Sequence, residues 1–274
     1  MVVNYAGPAP QTRESVSDDL RALGVRPGGI LLIHTSLSSL GWVSGGALTV
    51  VHALLDVLGP DGTLVVPSQT ADNRDPSTWV PRPPEAWWPA IRDTLPGFDP
   101  ERSPSVRVGV ITEQVRTWPG AVRSTHPQTS FAAVGPRAAE LMGRHDTDCH
   151  LGEASPLAAL DAAGADTLLL GVGFARATAF HLAEYRQPAP VWRTYACAVR
   201  TPDGGRRWLE YRDVVLDDRD FADLGRDFER ETDAVTTGRV GRAECRLFAV
   251  PDAVKYATGW FSRIRDAGAG ADPR

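Results

Sequence analysis

A three-layer α/β/α sandwich around a mostly parallel central sheet, with a β-hairpin in its C-terminal third, is the fold that three features of this 274-residue chain predict. Short aliphatic runs without alternation, Ile30-Leu31-Leu32-Ile33 and residues 167–170, read as strands buried on both faces. Segments of helical period follow or precede them, so the order is helix, strand, polar loop, helix, strand. Late in the chain, Asp203-Gly204-Gly205 separates two apolar, aromatic stretches, which is a hairpin signal.

The elements follow in order. Residues 12–23 place Val16, Leu20 and Leu23 on one helical face, with Gly24 as the stop. Pro27-Gly28-Gly29 turns into the strand at 30–33, and a polar loop runs from His34 to Gly41. Residues 47–58 form an apolar helix stopped by Gly59-Pro60, and Asp61-Gly62 turns into a strand at 63–66 that Pro67 ends. Residues 68–104 show no sustained period, but Trp79, Trp87 and Trp88 argue for an ordered excursion over one face of the sheet, a candidate substrate wall. Helices are expected at 109–118, 136–142 and 155–163, with a strand at 131–134. Residues 166–187 then read as a strand closed by Gly171 and Gly173, followed by a helix with Thr178 as N-cap and Pro188 as its end. The hairpin occupies 191–199 and 208–215, and helices at 221–232 and 253–264 flank a segment at 245–250. With no linker, residues 1–274 are expected to be one domain with a frayed tail from about 266.

Composition narrows the function classes. Hydrophobic content of 42% and charged content of 23% are those of a globular protein, and no apolar run approaches a membrane span. The first residues lack a basic region followed by an apolar one, so no export signal is expected. Three dispersed cysteines, Cys149, Cys197 and Cys245, suggest reduced thiols and a cytoplasmic location. A net charge of −5 disfavours nucleic acid and leaves room for a cationic ligand.

Several motifs carry candidate chemistry. His181 and Glu184, three residues apart, share a helix face at the mouth of a strand–loop–helix turn, where open α/β sheets hold their sites. A surface histidine with an ion-pair partner is the plainer reading of that spacing. The hydroxyl-rich loop at 35–41, facing the N-terminus of the 47–58 helix, suggests a phosphate cradle or an ordinary polar loop. It lacks the glycines and lysine of a nucleotide P-loop. Leu170-Gly171-Val172-Gly173 begins like a dinucleotide fingerprint, but Arg176 occupies its third glycine position. Cys149-His150 offers a thiol nucleophile, or an incidental thiol, since adjacent side chains rarely face each other. The six histidines show no metal-ligand spacing, so no metal is expected.

In combination the segments resemble the aminoglycoside 3-N-acetyltransferase family from about Val16 to Tyr185. The residues that carry the resemblance are Ile33-His34-Thr35-Ser36-Leu37-Ser38-Ser39-Leu40-Gly41, Gly45-Gly46, Gly62-Thr63-Leu64-Val65-Val66-Pro67, Phe98-Asp99-Pro100, Val122-Arg123-Ser124 with His126-Pro127, Gly152-Glu153-Ala154-Ser155-Pro156, and Thr178 with His181 and Glu184. The resemblance implies transfer of an acetyl group from acetyl-CoA to the 3-amino group of an aminoglycoside, by a monomer or homodimer. It implies His34, Thr35, Ser36, Leu37, Ser38 and Ser39, with Arg123 and Ser124, as the coenzyme site. His181 would be the general base and Glu184 would orient it or help hold the amine, with direct transfer and no acyl-enzyme. The chain gives no residue-by-residue match on the acceptor side, so Asp72, Asp75, Glu229 and Asp233 are chosen on charge as acidic walls for a polycation. Two other readings stay open: an inactive relative that binds the coenzyme, and an acyltransferase for a biosynthetic amine.

Overall fold

The computed structural model describes residues 9–269; residues 1–8 and the end of the expected frayed tail, 270–274, lie outside the described residues. Along the chain come α1 (Arg13–Leu23), β1 (Ile30–Thr35), α2 (Gly46–Leu58), β2 (Thr63–Pro67), α3 (Trp88–Thr94), α4 (Val110–Arg116), β3 (Val122–Arg123), β4 (Phe131–Val134) and α5 (Ala138–Met142). Then follow α6 (Pro156–Ala162), β5 (Asp166–Leu170), α7 (His181–Tyr185), β6 (Trp192–Arg200), β7 (Arg206–Val214), α8 (Phe221–Glu231), β8 (Thr236–Val240), β9 (Ala243–Ala249) and α9 (Val250–Ala269).

Seven strands form one sheet in the order β3-β4-β2-β1-β5-β9-β8, and β6 and β7 form a separate hairpin sheet. The centre, β2-β1-β5, is parallel, and the strands on either side pair antiparallel. The lack of alternation in β1, β2 and β5 has its cause here: both faces are covered. Leu31, Ile33, Leu64, Val66, Leu168 and Leu170 face the layer of α1, α2 and α4, while Ile30, Leu32, Val65 and Leu169 face the layer of α5 to α9. At roughly 25 cal/mol per Å² of apolar surface, these two layers are the main source of stability. Local signals agree with this packing at α1, where Thr12 and Ser15 make a reciprocal capping box and Gly24 closes the helix in the left-handed region.

Four expectations need correction. Thr178 is not an N-cap: it begins a 3-10 turn, Thr178–Phe180, that leads into α7 without a side-chain cap. The helix ends at Tyr185, short of Pro188. The excursion at 68–104 contains a helix, α3, whose seven residues are too few to show a period. The short strands β3 and β8, two and five residues long, carry no core stripe to announce them.

The excursion joins the hairpin to the sheet. Asn73 pairs with the backbone of Ala198 on β6, its Nδ2 donating to the carbonyl and its Oδ1 accepting from the N–H, both at 2.9 Å. Phe98 forms a parallel bridge with Val199. Among the described residues no helix is long and apolar enough to cross a membrane.

Candidate active site

A cleft of about 800 Å³ opens outside the carboxyl ends of β2, β1 and β5, where the parallel strands fan out on either side of β1. The end of β1 and its following turn supply His34, Thr35, Ser36, Leu37 and Ser38, and the segment after β5 supplies His181. Gly171 makes this meeting possible. Its φ is +68°, and a Cβ there would lie 2.4 Å from that of Ser39, so a side chain would push the two loops apart.

His181 and Glu184 do share one face, as their spacing requires. The imidazole Nδ1 donates to Glu184 Oε2 at 2.7 Å, and the ring packs 4.6 Å from that of Phe221. Glu184 is 3% exposed, and its other oxygen accepts from Arg265 Nη1 at 2.7 Å and from the Asp217 amide at 2.9 Å. Arg265 is held in turn by both oxygens of Asp220 and by the Asp217 carbonyl. A carboxylate accepts but does not donate, so Nδ1 carries the hydrogen and the Nε2 lone pair is left toward the cleft. Among the described residues, no hydrogen bond occupies that Nε2.

The rest of the expected coenzyme set divides. Ser39 lies one layer behind the cleft, with its hydroxyl donating to the Gly171 carbonyl at 3.0 Å. Arg123 does not line the cleft: its guanidinium donates to Ser130 Oγ and to the carbonyls of Ser68, Ser103 and Pro100, and it stacks on Phe98. Ser124 is fully buried, bonded to the His145 ring and the Phe131 amide. His34 is buried with its Nε2 unpartnered, and burial, then the nearby His181 and Arg176, lowers its pKa to about 3.

A second chamber of about 420 Å³ adjoins the cleft, sharing Gln69, Ala71 and Arg74 with it. Of the four proposed acidic residues it receives Asp75, which Arg92 holds at 2.8 and 3.1 Å. Asp72 pairs with Arg107 at 3.2 Å, Glu229 pairs with Arg246 at 2.7 Å, and Asp233 is exposed; none of these three lines either chamber.

His150 lines the second chamber, and its partner lies 63 residues away in the chain. Its Nδ1 meets Asp213 Oδ2 at 2.5 Å, and its backbone N–H donates to the same oxygen at 2.6 Å. Tyr185 also donates to Asp213, and Tyr211 and Gln128 meet the imidazole Nε2 at 2.9 Å each. His126 and His145 complete a stack of buried rings with bonded nitrogens. Cys149 is buried and faces no base, and burial raises its thiol, which is the reverse of what a nucleophile needs. Among the described residues no three or more His, Cys, Asp or Glu side chains are grouped to hold a metal ion.

With this geometry in hand, comparison with known proteins is informative. A family model described as aminoglycoside 3-N-acetyltransferase matches residues 32–262. The aminoglycoside N(3′)-acetyltransferase-like protein YokD of Bacillus subtilis, derived from the SPbeta prophage, is 41% identical over 92% of this chain and 93% of its own. Its crystal structure superposes with a TM-score of 0.93 over 96% of this chain and 98% of that one. Aminoglycoside N(3)-acetyltransferase VIII of Streptomyces fradiae is 38% identical, covering 98% of both chains. Two more distant structures, each 30% identical over 93% of this chain, are AAC-IIIb in a binary complex with CoASH (TM-score 0.82, 97% of that chain) and AAC-VIa bound to sisomicin (TM-score 0.83, 98% of that chain).

Proposed function

The chain belongs to the aminoglycoside 3-N-acetyltransferase family, and from that premise we propose that it moves an acetyl group from acetyl-CoA directly to the 3-amino group of an aminoglycoside, with His181 as general base. The observation that carries this reading is the His181–Glu184–Arg265 chain, which turns a free Nε2 lone pair toward the cleft.

An ammonium has no lone pair with which to attack a thioester. The acceptor nitrogen must therefore lose a proton, and His181 Nε2 offers a lone pair in the cleft to take it, whereas burial makes the His34 ring a poor base. Glu184 holds the ring in the accepting tautomer and favours the imidazolium as the proton arrives. Arg265 pairs with Glu184 in this buried setting and anchors it.

The residues of the cleft suit a long, anionic thioester. Thr35, Ser36 and Ser38 offer hydroxyls, and Arg107 and Arg176 bring positive charge. The CoASH complex of AAC-IIIb supports coenzyme A as a ligand. Acetyl-CoA supplies the activated acyl group, and the chain must stabilise the negative charge that gathers on the acyl oxygen. The amides of Leu37 and Ser38, the first of the Leu37–Leu40 turn, have no acceptor within that turn and serve as donors. By contrast, Ser36 N already bonds Leu170 O and Ser39 N bonds Ser36 O. The sisomicin complex of AAC-VIa supports an aminoglycoside acceptor.

The test is a panel of aminoglycosides and simpler amines assayed for release of free coenzyme A thiol. Turnover with aminoglycosides, and mass spectra showing one added acetyl at the 3-amino group, is the expected result. Thermal stabilisation by coenzyme A without thiol release from any amine would instead identify a coenzyme-binding relative.

A further inference from the structure

Where the cleft meets the second chamber, three arginines converge, and Arg74 among them has no ion-pair partner among the described residues. Arg74 lines both spaces, and its Nε is buried without a hydrogen-bond partner. No carboxylate among the described residues forms an ion pair with it. Asp75, its neighbour in sequence, is taken by both nitrogens of Arg92. Asp72 goes to Arg107, whose φ of +63° is the one positive value at a non-glycine among the described residues, a strained placement that sets it in the cleft wall. From the other side comes Arg193, which lies 4.1 Å above the ring of Tyr195 and lines the second chamber. Burial, then the charge of Arg107, lowers the Arg74 pKa; Asp72 opposes this and Arg193 adds to it.

A half-buried guanidinium with an unsatisfied donor and two like charges nearby is costly for the protein alone. Arginine's planar fork of N–H groups matches a carboxylate or phosphate, which would satisfy the donor and offset the charge together. We infer that Arg74, flanked by Arg107 and Arg193, is an anion subsite at the junction of the two chambers and takes a phosphate or carboxylate group of a ligand. The acid group has two sources, a phosphate of the coenzyme or an acid substituent on the acceptor. In the second case the accepted amines include ones that also carry an acid, with exposed Glu210 in the same chamber to face the ammonium. The inference rests on the proposed function for the identity of the ligands but not for the existence of the site.

Binding of inorganic pyrophosphate to the full chain, followed by titration calorimetry, tests the site without turnover. Arg74→Met should weaken binding tenfold or more, while Arg74→Lys, which keeps the charge, should retain part of it. Melting of the ligand-free proteins checks folding, and Arg74→Met should melt no lower than the parent because the group it removes had no partner. Equal pyrophosphate affinity in the parent and Arg74→Met overturns the inference, as does Arg74→Lys binding no better than Arg74→Met. Steady-state kinetics then separates the sources. If the coenzyme supplies the anion, Arg74→Met raises KM for acetyl-CoA and erases the preference over 3′-dephospho-acetyl-CoA. If the acceptor supplies it, KM for acetyl-CoA holds, and acid-bearing amines lose their advantage over neutral counterparts. Should no amine be acetylated at all, the proposed function fails while the pyrophosphate result stands.

Discussion

Among the described residues, two histidine–carboxylate pairs, His181 with Glu184 and His150 with Asp213, have opposite surroundings. Around His150, both ring nitrogens meet side chains, three imidazole rings pack together, and Asp213 accepts four hydrogen bonds, from the His150 ring and amide, Tyr185 and the Val214 amide. Around His181 the bonds stop halfway: Nδ1 is anchored through Glu184 to Arg265, and Nε2 meets the cleft. The same two functional groups thus brace one region and leave the other ready to accept a proton. Saturation of the second nitrogen separates the two roles.

The comparison can be broken by removing each ring in turn. His181→Ala should lower kcat by about 10²–10⁴, the range for loss of a general base, and leave thermal stability nearly unchanged. Thiol release and melting curves measure both. His150→Ala should do the reverse. It removes the imidazole's hydrogen bond to the buried Asp213, which costs about 1.5–3 kcal/mol in denaturant unfolding, while the folded fraction still turns over.

Acidification sharpens the contrast. Burial lowers the pKa of His145 to about 4 and of His34 to about 3, and lowers those of His126 and His150 as well, so these rings are neutral in the folded chain. The unfolded chain takes up those protons near pH 6.5. Below that pH the unfolded state binds more protons, so stability is lost as pH falls from about 6.5 toward 4, and for His34 on toward 3. Each such ring contributes a slope of about 1.4 kcal/mol per pH unit. Denaturant midpoints across this window check the slope, and the His145→Phe variant should flatten it.

Arg265→Met has the smallest expected effect. Glu184 keeps the Asp217 amide but loses its cation, so kcat should fall about tenfold with KM for acetyl-CoA unchanged. A KM effect without a kcat effect would move Arg265 out of the proton-transfer chain.

Much of this was legible in the sequence where the signal is local. The aliphatic runs at 30–33, 63–66 and 167–170, the glycine stops and the Asp203-Gly204-Gly205 turn mark elements directly, because burial and turn geometry act residue by residue. The i, i+3 spacing of His181 and Glu184 likewise survives into the structure. What stayed hidden depends on long-range contact. Arg265 reaches Glu184 from 81 residues away, and Asp213 reaches His150 across 63, so no window contains both partners. Arg123 and the acidic residues at 72, 75 and 229 show the converse. Resemblance nominated Arg123 and charge alone the acidic residues, yet backbone carbonyls or arginines elsewhere in the fold already occupy them.

The most direct test of proton transfer at His181 is the tautomer of its ring, read by nitrogen-15 NMR on the coenzyme-free enzyme at a pH where it turns over. Hydrogen on Nδ1 and a lone-pair signal at Nε2, lost in Glu184→Gln together with activity, is the predicted result. Hydrogen on Nε2 in the active enzyme would contradict the account, because a ring in that form has no lone pair facing the cleft.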